Sequence, residues 1–188
     1  MTRIFSVLAA VNFISLIASF AVGWASKLSH SRYSPDDPTF LIHFLCGLFA
    51  AIATLLVHCL IFTYFLGTGR WVKEVTLAYD MPDAPLHKTT RELKRKTFPP
   101  ALFAMLGTIA TSAAGAGVQL QDWSWLVHFA LACVAVGLNV WAYVVEWRNL
   151  KLNEGILAAT YREVDRIRSE RGLPPNDVAL RELSEGGV

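Results

Sequence analysis

Four runs of this chain are each long and apolar enough to form a helix that crosses a bilayer, which takes roughly 20 residues for a hydrocarbon core of about 30 Å. They fall at about 4–24, 39–66, 99–118 and 123–147. None has the polar face that each helix of a water-soluble bundle needs. Of 188 residues, 54% are apolar, and their gathering into blocks excludes an ordinary soluble domain. The chain therefore reads as an all-α integral membrane four-helix bundle over residues 1–148, with a cytoplasmic helical extension over 149–188.

The basic residues orient it. Of 17 Lys and Arg, 15 lie at Arg3, within Arg70–Lys96, or from Arg148 onward. Cytoplasmic segments carry such an excess, so both termini and the middle loop are expected on the cytoplasmic side of an inner or plasma membrane. The basic loop then meets anionic lipid, and nothing in the charge calls for nucleic acid. The first apolar run is longer than the core of a secretory signal and reads as a retained helix. Cys46, Cys59 and Cys133 are odd in number, dispersed, and all inside the spans, which fits packing residues and not a disulfide framework.

Punctuation marks the connections. Ser34–Pro38 is turn chemistry ahead of the second helix, and its two acids, Asp36 and Asp37, read as turn and cap and not as a cation site. Gly67 or Gly69 reads as the C-cap of that helix, followed by a polar loop with a short interfacial helix near Val72–Ala78. Met81-Pro82-Asp83-Ala84-Pro85 breaks the chain, and Pro99-Pro100 marks the start of the third span. The fourth helix is expected to continue past Trp147, with an apolar seam of Leu150, Leu157, Tyr161 and Val164 facing another membrane subunit or a second copy. Gly172-Leu173-Pro174-Pro175 ends it, and Asn176 starts a short helix through Leu183.

Each span carries a stripe of small and polar residues, the kind of face a membrane helix turns to its neighbours. In the first span the stripe is Asn12, Ser15, Ser19 and Gly23; in the third, Gly107, Thr111 and Gly115. In the fourth it runs through His128, Ala132, Ala135, Asn139, Ala142 and Glu146. The second span adds His43 and His58, and ionisable groups at membrane depth are functional-site candidates. Glu146 is expected near the cytoplasmic end, within reach of Arg148.

With alternating topology the second and fourth helices run the same way, which puts His43 and His128 at matching depths of roughly 6 and 7.5 Å below the outer boundary. Two imidazoles facing across a bundle, with Gly47 and Ala132 one turn further along, are arranged as axial ligands of a b-type haem. His58 has no histidine opposite it on the fourth helix, so a second haem lacks a ligand. A copper or other metal site adding Cys46 or Cys133 is the weaker metal alternative.

The function expected is therefore a small membrane subunit of a larger complex, transferring electrons through one haem b on His43 and His128. The alternatives are a cofactor-free scaffold or homo-oligomer, and a small channel or transporter with a polar path of His58, Asn139 and Glu146. No nucleophile elbow, HExxH or Walker loop is present, so catalysis by the chain alone is not expected.

Overall fold

The computed structural model describes residues 1–29 and 38–178, and over them the chain is all-helical. The element order is α1 (Thr2–Ser29), α2 (Pro38–Ala78), α3 (Leu86–Leu120) and α4 (Trp125–Glu170). All four are long and apolar enough to cross a membrane. The turn expected at Ser34–Pro38 and the short helix from Asn176 to Leu183 lie wholly or mostly outside the described residues.

The helices are longer than their apolar cores. The 41 residues of α2 measure about 60 Å, twice a bilayer's hydrocarbon thickness. The C-cap expected at Gly67 or Gly69 does not form, because α2 runs straight through both glycines. An interior glycine costs only about 1 kcal/mol, and the Thr68 hydroxyl donates back to the Tyr64 carbonyl (2.8 Å) while Arg70 pairs with Glu74 one turn on (2.8 Å). The actual stop comes at Asp80, which takes a left-handed φ of 55° as the Met81 N–H closes on the Thr76 carbonyl (2.8 Å). Helix α3 begins at Leu86, so that the charged stretch Thr90–Lys96 is a helical lead-in to the third span, and it includes Pro99 and Pro100. Its end is tight: Asp122 has a φ of 58°, and a Cβ at Gly117 would lie 2.5 Å from the Trp123 ring, so only glycine fits there. Helix α4 continues well past Trp147 and ends, as the sequence indicates, at Gly172 with a φ of 69°.

Two compact units form. The first comprises Met1–Thr63 and Lys96–Arg148, the second Tyr64–Arg95 and Asn149–Val188. The first is arranged inside out relative to a soluble protein. Its most apolar window, in α2, is only 17% buried, and Ile14, Phe49, Ile52 and Leu56 point outward. Its interior instead holds Asn12, Ser19, Thr54, His58, Thr108, Asn139 and Glu146. So much exposed hydrocarbon on so many helical faces is rare on a soluble monomer.

In the second unit Asn153 is buried and its amide donates to the Tyr64 hydroxyl and to Thr68 Oγ1, both at 3.2 Å. Trp71 packs on Tyr161 with ring centroids 4.8 Å apart, and Arg168 donates to the Tyr79 hydroxyl. Of the expected seam, Leu150 and Val164 are buried by the chain itself, whereas Tyr161 keeps an exposed edge. On the outer face of α4, the Arg166 guanidinium holds the Glu163 carboxyl below its ordinary pKa.

This packing makes Leu150 a stability determinant. Leu150→Ala removes a side chain with no exposed surface and should cost about 2–5 kcal/mol. Leu152→Ala, at an exposed position, should be close to neutral; unfolding midpoints of both variants in detergent check the contrast.

Candidate functional site

Among the described residues of the first unit, two polar sites stand out. One joins His43 of α2 and His128 of α4, whose ring centroids are 6.0 Å apart with an interplanar angle of 79°. Each ring is anchored by a neighbouring helix. His43 Nδ1 lies 3.0 Å from the Ser19 carbonyl of α1, and His128 Nδ1 lies 2.9 Å from the Thr111 carbonyl of α3. A carbonyl only accepts, so each Nδ1 carries the hydrogen and donates it. In the neutral imidazole that leaves Nε2 with a bare lone pair, and neither Nε2 has a hydrogen-bond partner among the described residues. An Nδ1–H held by a backbone carbonyl is the usual support of a metal-ligating histidine.

Glycines make room for both rings. A Cβ at Gly23 would lie 2.6 Å from His43 Cε1, and one at Gly115 would lie 3.0 Å from His128 Cε1. The small residues under the imidazoles thus come from α1 and α3. Gly47, expected beside His43, instead approaches Ser19 Oγ at the ordinary distance of 3.4 Å for an added Cβ. Ala132 is half-buried on α4. Beside the pair stands an aromatic group of Phe20, Trp24, Trp125 and Phe129, with Lys27 Nζ 5.1 Å from the centre of the Trp125 ring.

The second site lies deeper. His58, Asn139 and Glu146 have no exposed surface and do come together. His58 Nδ1 is 2.7 Å from Glu146 Oε1, and Nε2 is 3.2 Å from Asn139 Oδ1. Glu146 is therefore not a headgroup-level partner of Arg148, as the sequence had indicated: it is sealed inside and paired with His58. Tyr143 stacks on His58 at 5.4 Å and 16°. Asn12 of α1 closes the network, its amide donating to Thr54 Oγ1 (2.9 Å) and to the Tyr143 hydroxyl.

Both ring nitrogens of His58 are engaged, so His58 has no lone pair free for a metal. The cysteines are dispersed, with Cys59 and Cys133 exposed and Cys46 half-buried. No group of three or more His, Cys, Asp or Glu side chains gathers among the described residues, so the copper alternative lacks a ligand cluster.

Asn12, Thr54 and Thr108 belong to the buried site; Asn12 was read only as part of a small polar stripe, and Thr108 was not singled out. Their partners become evident only when several helices meet. Compared with protein families, curated proteins and solved structures, the chain matches none.

The glycine contacts give a direct test. Gly23→Ala should displace the His43 ring and lower the unfolding midpoint, while Gly67→Ala, where a Cβ meets nothing within 4 Å, should leave it unchanged or raise it slightly.

Proposed function

We propose that the chain is an integral membrane electron-transfer subunit that holds one b-type haem between His43 and His128. The observation that carries this reading is the geometry of the two imidazoles. A haem iron held here would take one imidazole nitrogen from each of the two rings. The rings stand at 6.0 Å, each with its Nδ1 fixed and its Nε2 free. Gly23 and Gly115 let the two rings seat closely against α1 and α3, and Lys27 supplies a cation at that end for the carboxylates of a porphyrin.

The membrane setting is part of the proposal. Its support is the four long apolar helices, their outward-facing hydrocarbon and their polar interior. The basic bias of Arg3, Arg70–Lys96 and the segment from Arg148 favours cytoplasmic termini. The first unit is then the membrane bundle. The haem lies under the outer leaflet, and its electrons come from or go to another subunit of a membrane complex. The exposed edge of Tyr161 and the half-buried Leu157, beside Leu150 and Val164, mark a face for that subunit.

Purified protein should show a Soret band that disappears in His43→Ala and in His128→Ala. It should persist in His58→Ala, because both nitrogens of that ring are already engaged. A colourless preparation that takes up no added haemin overturns the proposal in favour of a cofactor-free scaffold subunit.

A further inference from the structure

The hydrogen-bond directions around His58 fix where its protons are. The Thr108 hydroxyl spends its hydrogen on the Ala104 carbonyl (2.9 Å), so toward Asn139 it accepts. Asn139 Nδ2 donates to that hydroxyl oxygen (3.2 Å) and to the Ala135 carbonyl (2.8 Å). The Asn139 amide is thereby locked with Oδ1 toward His58 Nε2, and an amide oxygen only accepts. His58 Nε2 therefore carries a hydrogen. At the other nitrogen, a contact of 2.7 Å between Nδ1 and Glu146 Oε1 requires one further proton between them. It sits on the carboxyl, with a neutral imidazole, or on the imidazole, with a carboxylate. The pair is neutral in both forms.

One atom of this cluster is unsatisfied. Glu146 Oε2 is buried and has no hydrogen-bond partner among the described residues. A second proton arriving from water binds there: Nδ1–H then donates to Oε1, Oε2 carries the new hydrogen, and the pair gains one positive charge. No bond between heavier atoms forms or breaks. Tyr143 is the other titratable group against the pair; α1 presents Asn12, α2 Thr54 and α3 Thr108, none of which titrates. Arg148 of α4 is exposed.

We propose that His58 and Glu146 form a proton-exchange site that cycles between one and two protons, taking up the second from water when an electron reaches the His43–His128 site and returning it on oxidation. The link to electron transfer rests on the haem reading given above; the exchange itself does not. The physical reason for the coupling is charge balance, since an electron added in a low-dielectric interior is stabilised by a cation arriving in the same interior. His43 and His58 are 15 residues apart on α2, about 22 Å along the helix axis. At an effective dielectric of about 20, one unit charge at that distance changes the reduction equilibrium on the order of fourfold.

The test uses the full chain in detergent, with carbon-13-labelled glutamate. Reduced-minus-oxidised infrared spectra should show a labelled carboxyl band, gained where the resting proton sits on the imidazole and shifted where it sits on the carboxyl, that moves with deuteration and is missing in Glu146→Gln. The haem's reduction equilibrium should change by roughly fourfold as pH crosses the titration of the pair, and be flat in the variant. Reduction without a labelled carboxyl band, or equal pH dependence in the two proteins, overturns the proton site and leaves the haem standing. Absence of a Soret band overturns the haem reading alone. The pH-induced infrared difference spectrum of that same sample then decides the exchange, and no labelled carboxyl band there overturns it. Because the labelled wild type carries the signal, a variant that fails to fold does not block the result.

Discussion

A polar group shut away from water must find its partner inside the protein, and the first unit is organised by that demand. Asn12, Thr54, His58, Thr108, Asn139 and Glu146 are all buried, while leucine, isoleucine and phenylalanine face outward. Hydrocarbon on the outside gives the helices no reason to associate if the solvent is itself hydrocarbon. What draws four helices together is then the set of small faces that allow close approach and the hydrogen bonds that cross between them. Asn12 ties α1 to α2 and α4 through Thr54 and Tyr143, and Asn139 ties α4 to α2 and α3 through His58 and Thr108. Each such bond adds only about 0.6 kcal/mol on average. Losing one partner costs more, because the survivor is left buried and unpaired.

Within this polar interior the same residue type meets two fates. His58 has a partner at each nitrogen, so its ring is a fixed link in a hydrogen-bonded network. His43 and His128 each have an acceptor at Nδ1 alone, so each has a lone pair to give. The difference lies in what the neighbouring helix offers: a backbone carbonyl and a glycine at one level, a carboxyl and an amide at the other. Ligand-like and acid–base chemistry are therefore separated by packing.

Much of this was legible in the chain. Apolar run length gave four helices, and matched depth with alternating topology gave the juxtaposition of His43 and His128. The small faces on α1 and α3 were also visible, though not that Gly23 and Gly115 would receive the rings. Helix ends were the weakest point: Gly67 and Gly69 look like a stop, but a long helix with side chains bonded back to its own carbonyls absorbs two glycines. The pairing of His58 with Glu146 was missed for a geometric reason. Glu146 was placed by its Cα near the cytoplasmic boundary, yet helical side chains lean toward the N-terminus and a glutamate reaches back about one turn. Its carboxyl therefore lies near the level of Tyr143, which is where His58 stacks.

The two sites share their scaffold, and that bears on how they can act together. Contacts at both levels, His43 with His128 and His58 with Glu146, require α2 and α4 to run in the same direction. The spacing is 15 residues on α2 and 18 on α4, and the excess of about 4.5 Å is taken up by the backward reach of the Glu146 side chain. Two helices pinned at both levels cannot slide without breaking one contact or the other. The sites are thus held at fixed separation, too far apart to share a ligand or a hydrogen bond, and charge is the one quantity that can pass between them through a rigid, weakly polarisable interior. A proton site built on the same two helices as the proposed haem is placed to feel its oxidation state without any movement of the fold.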